Sequence, residues 1–440
     1  MALTGEKFLI DAYTGKGGFL DGSYLIAHPR ESKEKLERRK KLAVYPNYVK
    51  KVVDSYLSHL FKKSPIRSIE TQEYQEFIQD VDRQGTYIDD YMRRAFKLAM
   101  ITEGVFIIVD KPPGKATTKL EEKELNLRPY LALRTRSQLY SYTLDEYGRL
   151  SSITFREARP DNTIIYRYFD TQRWAIYTDP ELKEIESQGE HKLGVVPVVP
   201  LHSTDPLLPN DLTATPWILD IANLNFDLYN ALSELRELFR NQTFSIFTIP
   251  VKDQADAEKL KDLTISTENA IPYSPEGGGK PDFIAPPPDP VQAYMQYIES
   301  LIQQIYRLAN LEFTGGVQKS GIAKEYDWLE FNRTLTSFAL QCEQAEYKIA
   351  ELVCRWQDTE FKGYIQYPRD FSIRNLAEEL ETAMNAITAQ ILPPTGVIEL
   401  RKKLTRDILG EFVDDKLLKV MDKEIEKETQ NFTNRLSEEL

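Results

Sequence analysis

Between Ile218 and Phe239 apolar residues return every three or four positions, at Ile218, Ile221, Leu224, Leu228, Leu232, Leu235 and Phe239. That spacing lays one stripe along an α-helix. Asp220, Asn223, Asp227, Asn230, Glu234 and Glu237 take another face, while Thr215 and Pro216 suit a cap and a first turn. A helix over 216–241 is a rod of roughly 39 Å. A second rod starts at Asp289 and Pro290, with Tyr294, Ile298, Leu301, Ile305 and Leu308 on one side. Its opposite stripe, Gln292, Gln296, Glu299, Gln303 and Arg307, is unusually rich in neutral amides. A third and longer helix, from about Lys324 to Gln357, carries Leu335, Phe338, Cys342, Ala345, Ile349, Leu352 and Trp356 on its buried side.

The rest of the chain changes period several times. Residues 1–31 hold glycines at 15, 17, 18 and 22 and read as irregular and partly disordered. The GKGG at 15–18 lacks the outer glycine and the Ser or Thr of a phosphate loop. A charged helix over 31–42, an amphipathic one over 47–61 and a third over 87–104 follow, the last leading into GVFIIVD, a buried type of strand. From Arg128 to Val199 alternation takes over in YLALR, LYSYTL, LSSITFREA, TIIYRYFD and RWAIYTD, a run of short antiparallel strands. Residues 242–289 form a small unit of extended segments and one short helix capped by Asp253, too small to be stable without neighbours. KGYIQY (362–367) reads as a strand returning to the first sheet, and 375–440 as helices broken at PPTG. The fold class is α+β.

With 440 residues the chain exceeds one core, and its 41% hydrophobic share is that of a folded protein. No stretch reaches the ~18 uncharged apolar residues of a membrane span, so a cytoplasmic or virion-internal place is expected. Cys342 and Cys354 fall roughly 18 Å apart on one helix, beyond disulfide reach, and read as packing residues. The net charge of -12 argues against a broad basic grip on nucleic acid. His28, His59, His191 and His202 have no metal-ligand spacing, and no HExxH, GxSxG or paired CxxC is present. No cofactor and no enzymatic activity are expected.

In NYVKKVVDSYLSHLFKKSPI, LGVVPVVPLHSTD, LDIANLNFDLYNALSELRELFRN and IYRLANLEFTGGVQKSGIAKEYD, and in the order of these segments, the chain resembles the portal proteins of tailed double-stranded-DNA bacteriophages, with a thermophilic host as one source. The resemblance implies a wing over 1–215, stem helices over 216–241 and 290–312, and a clip over 242–289. It also implies a tunnel loop over 313–324, a long wing helix with its returning strand over 325–372, and a crown over 373–440. It further implies a closed ring, usually of twelve subunits, assembled in the host cytoplasm and placed at one capsid vertex of the virion. There DNA is packaged by the large terminase and later ejected; the ring also meets the major capsid and scaffold proteins and a head–tail adaptor, and touches no membrane.

Within that reading Gly315, Gly316, Val317, Gln318, Lys319, Ser320, Gly321, Ile322 and Lys324 form the loop facing the passage. Its glycines allow movement, Val317 and Ile322 narrow the bore, and Lys319 and Lys324 touch phosphates transiently. The plain alternative is a helix–helix connector with Val317 and Ile322 packed inward. The stripe Gln292, Gln296, Glu299, Gln303 and Arg307 either lines the passage or is a solvated face. Clip residues Lys252, Asp256, Glu258, Lys259 and Asp262 are candidates for contacts with motor or adaptor. Duplex DNA carries one charge per roughly 1.7 Å, so a wall dense in lysine would hold it, whereas an acidic or amide wall lets it slide. Two rival readings are a metal-dependent nuclease, or another phage-encoded DNA-processing enzyme, and a structural adaptor that is not a portal.

Overall fold

The computed structural model describes residues 4–114, 121, 124–208, 211–243, 246–250, 270–273, 280, 282–284, 289–311, 321–369, 371, 376–389, 391–409, 413, 417–418 and 420–427. The chain is α+β and divides into two compact units, Met1–Phe371 and Ser372–Leu440.

The first unit opens with helices α1 (Glu6–Thr14), α2 (Gly18–Asp21), α3 (Lys33–Leu42) and α4 (Tyr48–Leu60). The expectation of an irregular start is therefore corrected. Phe8, Leu9, Ala12, Phe19 and Leu25 are buried, and the glycines make turns instead of slack. Gly15 ends α1 in the left-handed region at φ 67°. Gly17, at φ 55°, lies so close to the Asp11 carboxylate that a Cβ there would sit 2.1 Å from its Oδ2.

Strand β1 (Ile66–Ile69), α5 (Gln72–Phe77) and α6 (Ile88–Ile101) lead to β2 (Val105–Asp110), which is buried along its whole length. Its alternation serves two cores. Val105, Ile107 and Val109 join the helices, whereas Phe106 and Ile108 face Ile153, Phe155 and Phe169. Strand β2 pairs antiparallel with β3 (Tyr130–Thr135) on one side. Next come β4 (Leu139–Leu144), β5 (Leu150–Ala158), β6 (Ile164–Asp170), β7 (Arg173–Tyr177) and β8 (Ile185–Glu190), an antiparallel meander in chain order. Strand β9 (Val198–Leu201), the proline-marked segment before the first rod, closes the other edge of β2.

Helix α7 (Leu219–Thr243) is the first rod, and a turn over Trp217 and Ile218 precedes it where helix was expected from 216. After it, β10 (Ile246–Pro250) pairs parallel with β11 (Ala270–Tyr273) and antiparallel with β12 (Asp282–Ile284). The short helix expected after Asp253 lies outside the described residues. Helix α8 (Asp289–Leu308) is the second rod and α9 (Gly321–Trp356) the long helix. The latter has 36 residues and spans roughly 54 Å. Strand β13 (Gly363–Gln366) does not rejoin the large sheets. It pairs antiparallel with β1, and the two strands make a ribbon of their own.

In the second unit, α10 (Leu376–Thr388) and α11 (Pro394–Leu409) flank the PPTG break, whose Pro394 sits at a first helical position where a missing N–H costs nothing.

Candidate functional site

The two rods define the site. Tyr294, near the start of α8, donates its hydroxyl hydrogen bond to Glu234 Oε2 in the last half of α7 at 2.8 Å. Near the end of α8, Tyr306 stands edge-on to Tyr48, whose backbone N–H is held by Asn225 near the start of α7. The helices are thus antiparallel, with Leu301 and Ile305 of α8 buried between them and α4. The bond to Glu234, and then burial, push the Tyr294 phenol above its ordinary value.

Helix α7 is wrapped on more sides than its apolar stripe alone would require. Asn225 is fully buried: Oδ1 accepts from the N–H groups of Tyr48 and Val49 at 2.9 and 3.2 Å, and Nδ2 donates to the Pro46 carbonyl at 3.0 Å. Asn230 accepts from the Ile26 N–H at 2.8 Å and donates to the Tyr24 carbonyl at 3.4 Å. Asn225 satisfies the free N–H groups at the start of α4, and Asn230 satisfies chain at 24–26 that crosses the helix in no regular element. An aromatic cluster adds to the grip, with Phe19 stacked on Tyr45 at 4.0 Å and edge-on to Tyr229 at 5.4 Å. Glu237 meets Arg38 at 2.6 Å and Lys35 at 3.7 Å. Asn230 and Glu237, expected on an open polar face, are covered because residues 18–42 fold back over that face.

Helix α8 differs. Gln292, Gln296, Glu299, Gln303 and Arg307 are all exposed, in one stripe away from Leu301 and Ile305. The charges of Glu299 and Arg307 cancel, so the stripe presents amides and no net charge. Beside it Met295, Tyr297 and Leu308 stand 56%, 48% and 51% exposed.

Of the expected loop residues, Gly315, Gly316, Val317, Gln318, Lys319 and Ser320 lie outside the described residues. Gly321, Ile322 and Lys324 do not belong to a loop. They stand in the first turn of α9, which starts before the Lys324 expected from spacing, since the helix accepts a glycine at its end where the interior would not. Lys252, Asp256, Glu258, Lys259 and Asp262 also lie outside the described residues.

Among the described residues no group of three His, Cys, Asp or Glu side chains is placed to hold a metal ion. His59 packs edge-on against Phe331 at 5.1 Å, and His191 lies 5.8 Å from Trp356. His202 is buried, and burial lowers its pKa, as it does that of His191. Cys342 and Cys354 are free thiols, buried and pushed up in pKa by that burial. Among the described residues no helix is long and apolar enough to cross a membrane.

One constellation had no signal in the sequence. Glu346, fully buried on α9, accepts from Arg67 Nε at 2.6 Å and Nη2 at 2.9 Å. Arg67 Nη2 also reaches Asp89 at 2.6 Å, and the Tyr367 hydroxyl donates to Glu346 at 2.7 Å. Burial pulls the Arg67 pKa down, but the bonds and charge of Glu346 outweigh it and the guanidinium stays ionised. This cluster ties β1, α6 and α9 to the chain just after β13, and each of its charged groups has a partner.

No family model and no curated protein matches the sequence. Among solved structures, the chain is similar to one in the virion of a native gene transfer agent particle, with 12% identity, 92% of this chain and 99% of that one covered, and a TM-score of 0.42. It is also similar to a chain in the neck of an empty gene transfer agent particle, with 13% identity, coverage of 86% and 94%, and a TM-score of 0.43. Scores of this size carry neither fold nor function from one chain to another.

Proposed function

We propose that the chain is a portal subunit: copies close into a ring at one capsid vertex of a tailed phage, and double-stranded DNA passes through the ring. The observation that carries this reading is helix α8. Among the described residues it is a long rod that packs on its own chain through Leu301 and Ile305, with an exposed amide stripe and exposed apolar residues on its other faces. A monomer has no use for such a helix. A ring has, because subunits related by rotation each bury two unlike faces.

In this reading α7 and α8 run along the passage as the stem, and Gln292, Gln296, Glu299, Gln303 and Arg307 line it. A wall of amides and balanced charge releases few counterions from DNA, so the duplex is neither gripped nor stalled. The segment Gly315 to Ser320 follows the duplex from the head of α9, with Gly321, Ile322 and Lys324 setting its base. The small sheet β10–β12 and Lys252, Asp256, Glu258, Lys259 and Asp262 form the clip that meets the large terminase and a head–tail adaptor. Residues 1–215, with α9 and β13, are the wing facing capsid and scaffold proteins, and 373–440 the crown. The chain's work is structural, without cofactor or turnover.

Native mass measurement tests the reading. Twelve copies of a 50.9 kDa chain give a species of about 611 kDa. A chain that stays monomeric at high concentration rules the ring out.

A further inference from the structure

Where α3 packs on α7, beside the start of α8, lies a polar cleft of about 360 Å³. Helix α3 turns an arginine inward there. Of its ten residues only Arg39 is buried, while Leu36 and Leu42 are not. Arginine is seldom buried unless its charge is paired. Arg39 is paired: Nη1 donates to Glu31 Oε2 at 2.7 Å, and the two side chains are 5% and 4% exposed. Nε donates to Ser233 Oγ at 3.2 Å, and Nη1 also reaches the Ile26 carbonyl at 3.4 Å. Glu31 Oε2 accepts in addition from the His28 N–H at 3.3 Å. That leaves Arg39 Nη2 and Glu31 Oε1, both buried and both without a hydrogen-bond partner among the described residues. Buried polar atoms in that state are costly and rare. Both residues line the cleft.

We propose that this cleft binds a neutral carboxamide, whose carbonyl accepts from Arg39 Nη2 and whose N–H donates to Glu31 Oε1. Charge decides the class. Arg30, Lys35 and Arg39 line the cleft together with Glu31, Glu234 and Glu237, so three cations cancel three carboxylates and no ion is drawn in. Since Arg39 and Glu31 are bonded to each other, an anion at Nη2 would also meet the Glu31 carboxylate, and a cation at Oε1 would meet the guanidinium. The pair instead offers open N–H donors on one side and one open acceptor on the other. An amide carries the complement of both on a single carbon. The neighbouring acids do not compete, because Glu234 accepts from Tyr294 and Glu237 from Arg38. The inference stands apart from the ring reading.

Saturation-transfer NMR on the full chain tests it with propionamide, propionate and propylammonium, probes of similar size that differ in charge. Propionamide is expected to take up saturation and the two ions are not. In Arg39→Lys, which keeps a charge opposite Glu31 and removes Nη2, the affinity for propionamide is expected to fall roughly tenfold. The comparison of the three probes on the wild type decides the matter even where that variant fails to fold. Equal or stronger uptake by either ion, uptake by none of the three, or unchanged affinity in a folded Arg39→Lys overturns the proposal. N-acetyl-glutamine methylamide separates two sources of the amide group. Binding at least equal to that of propionamide identifies an Asn or Gln side chain of a polypeptide, and weaker binding identifies a free small amide. A chain that forms rings and binds no propionamide sinks this site alone; one that binds propionamide and never assembles sinks the ring alone.

Discussion

Helices α8 and α9 are both long and amphipathic, yet among the described residues α9 buries most of its apolar stripe while α8 keeps apolar residues exposed along its flanks. On α9, Phe331, Leu335, Phe338, Cys342, Ile349 and Val353 are all buried within the first unit, and even the carboxylate of Glu346 is matched by Arg67 and Tyr367. On α8, Leu301 and Ile305 are buried but Met295, Tyr297 and Leu308 are not. A helix whose apolar stripe and buried carboxylate are matched at home serves the monomer's stability, even though Leu329 and Tyr347 stay exposed on it. One that exposes apolar groups on its flanks has its remaining partners elsewhere.

The sharpest way to break this contrast is to attack the anchor of α9. Glu346→Leu leaves Arg67 buried without its main counter-ion, and a loss of about 3–5 kcal/mol is expected in urea unfolding. An unchanged midpoint would mean that the apolar stripe alone holds α9. A smaller loss, about 1–3 kcal/mol, is expected for Asn225→Ala, which strands the N–H groups of Tyr48 and Val49 beside α7.

A pH series probes the same unit more gently. Burial lowers the pKa of His202 and His191 below 6.5, so the folded chain keeps both rings neutral where the unfolded chain would protonate them. The stability they contribute is complete above pH 6.5 and is lost as pH falls from 6.5 through the folded values. The urea midpoint should decline over that interval, and less steeply in His202→Gln. A decline of equal slope in that variant would exclude His202 as a source.

The least effect on stability belongs to α8. Replacing Gln292, Gln296 and Gln303 together by Lys is expected to change unfolding by no more than about 0.5 kcal/mol per site. The same variant should retain DNA in a filter assay at low salt and release it as salt rises. A loss above about 1 kcal/mol per site would show instead that the stripe belongs to the chain's own core.

Much of this architecture was legible. The period of 3.6 in 218–239 and 331–356 and the period of 2 in 150–177 report a burial that each element carries along its own length. Other features were not. Glycines at 15, 17, 18 and 22 suggested slack, but at 17 the absence of a side chain admits the Asp11 carboxylate. Asn230 looked like a polar-face residue until the irregular chain it satisfies was seen lying over it. Glu346 is one acid among 68 acidic residues, and nothing local distinguishes it.

The sequence alone therefore determined which segments are rods and strands, since periodicity is set by the backbone repeat and needs only neighbours along the chain. The tertiary structure decided which faces of those rods are closed. That depends on contacts such as Arg67 to Glu346 or Ile26 to Asn230, between residues hundreds of positions apart, whose pairing leaves no repeat to read.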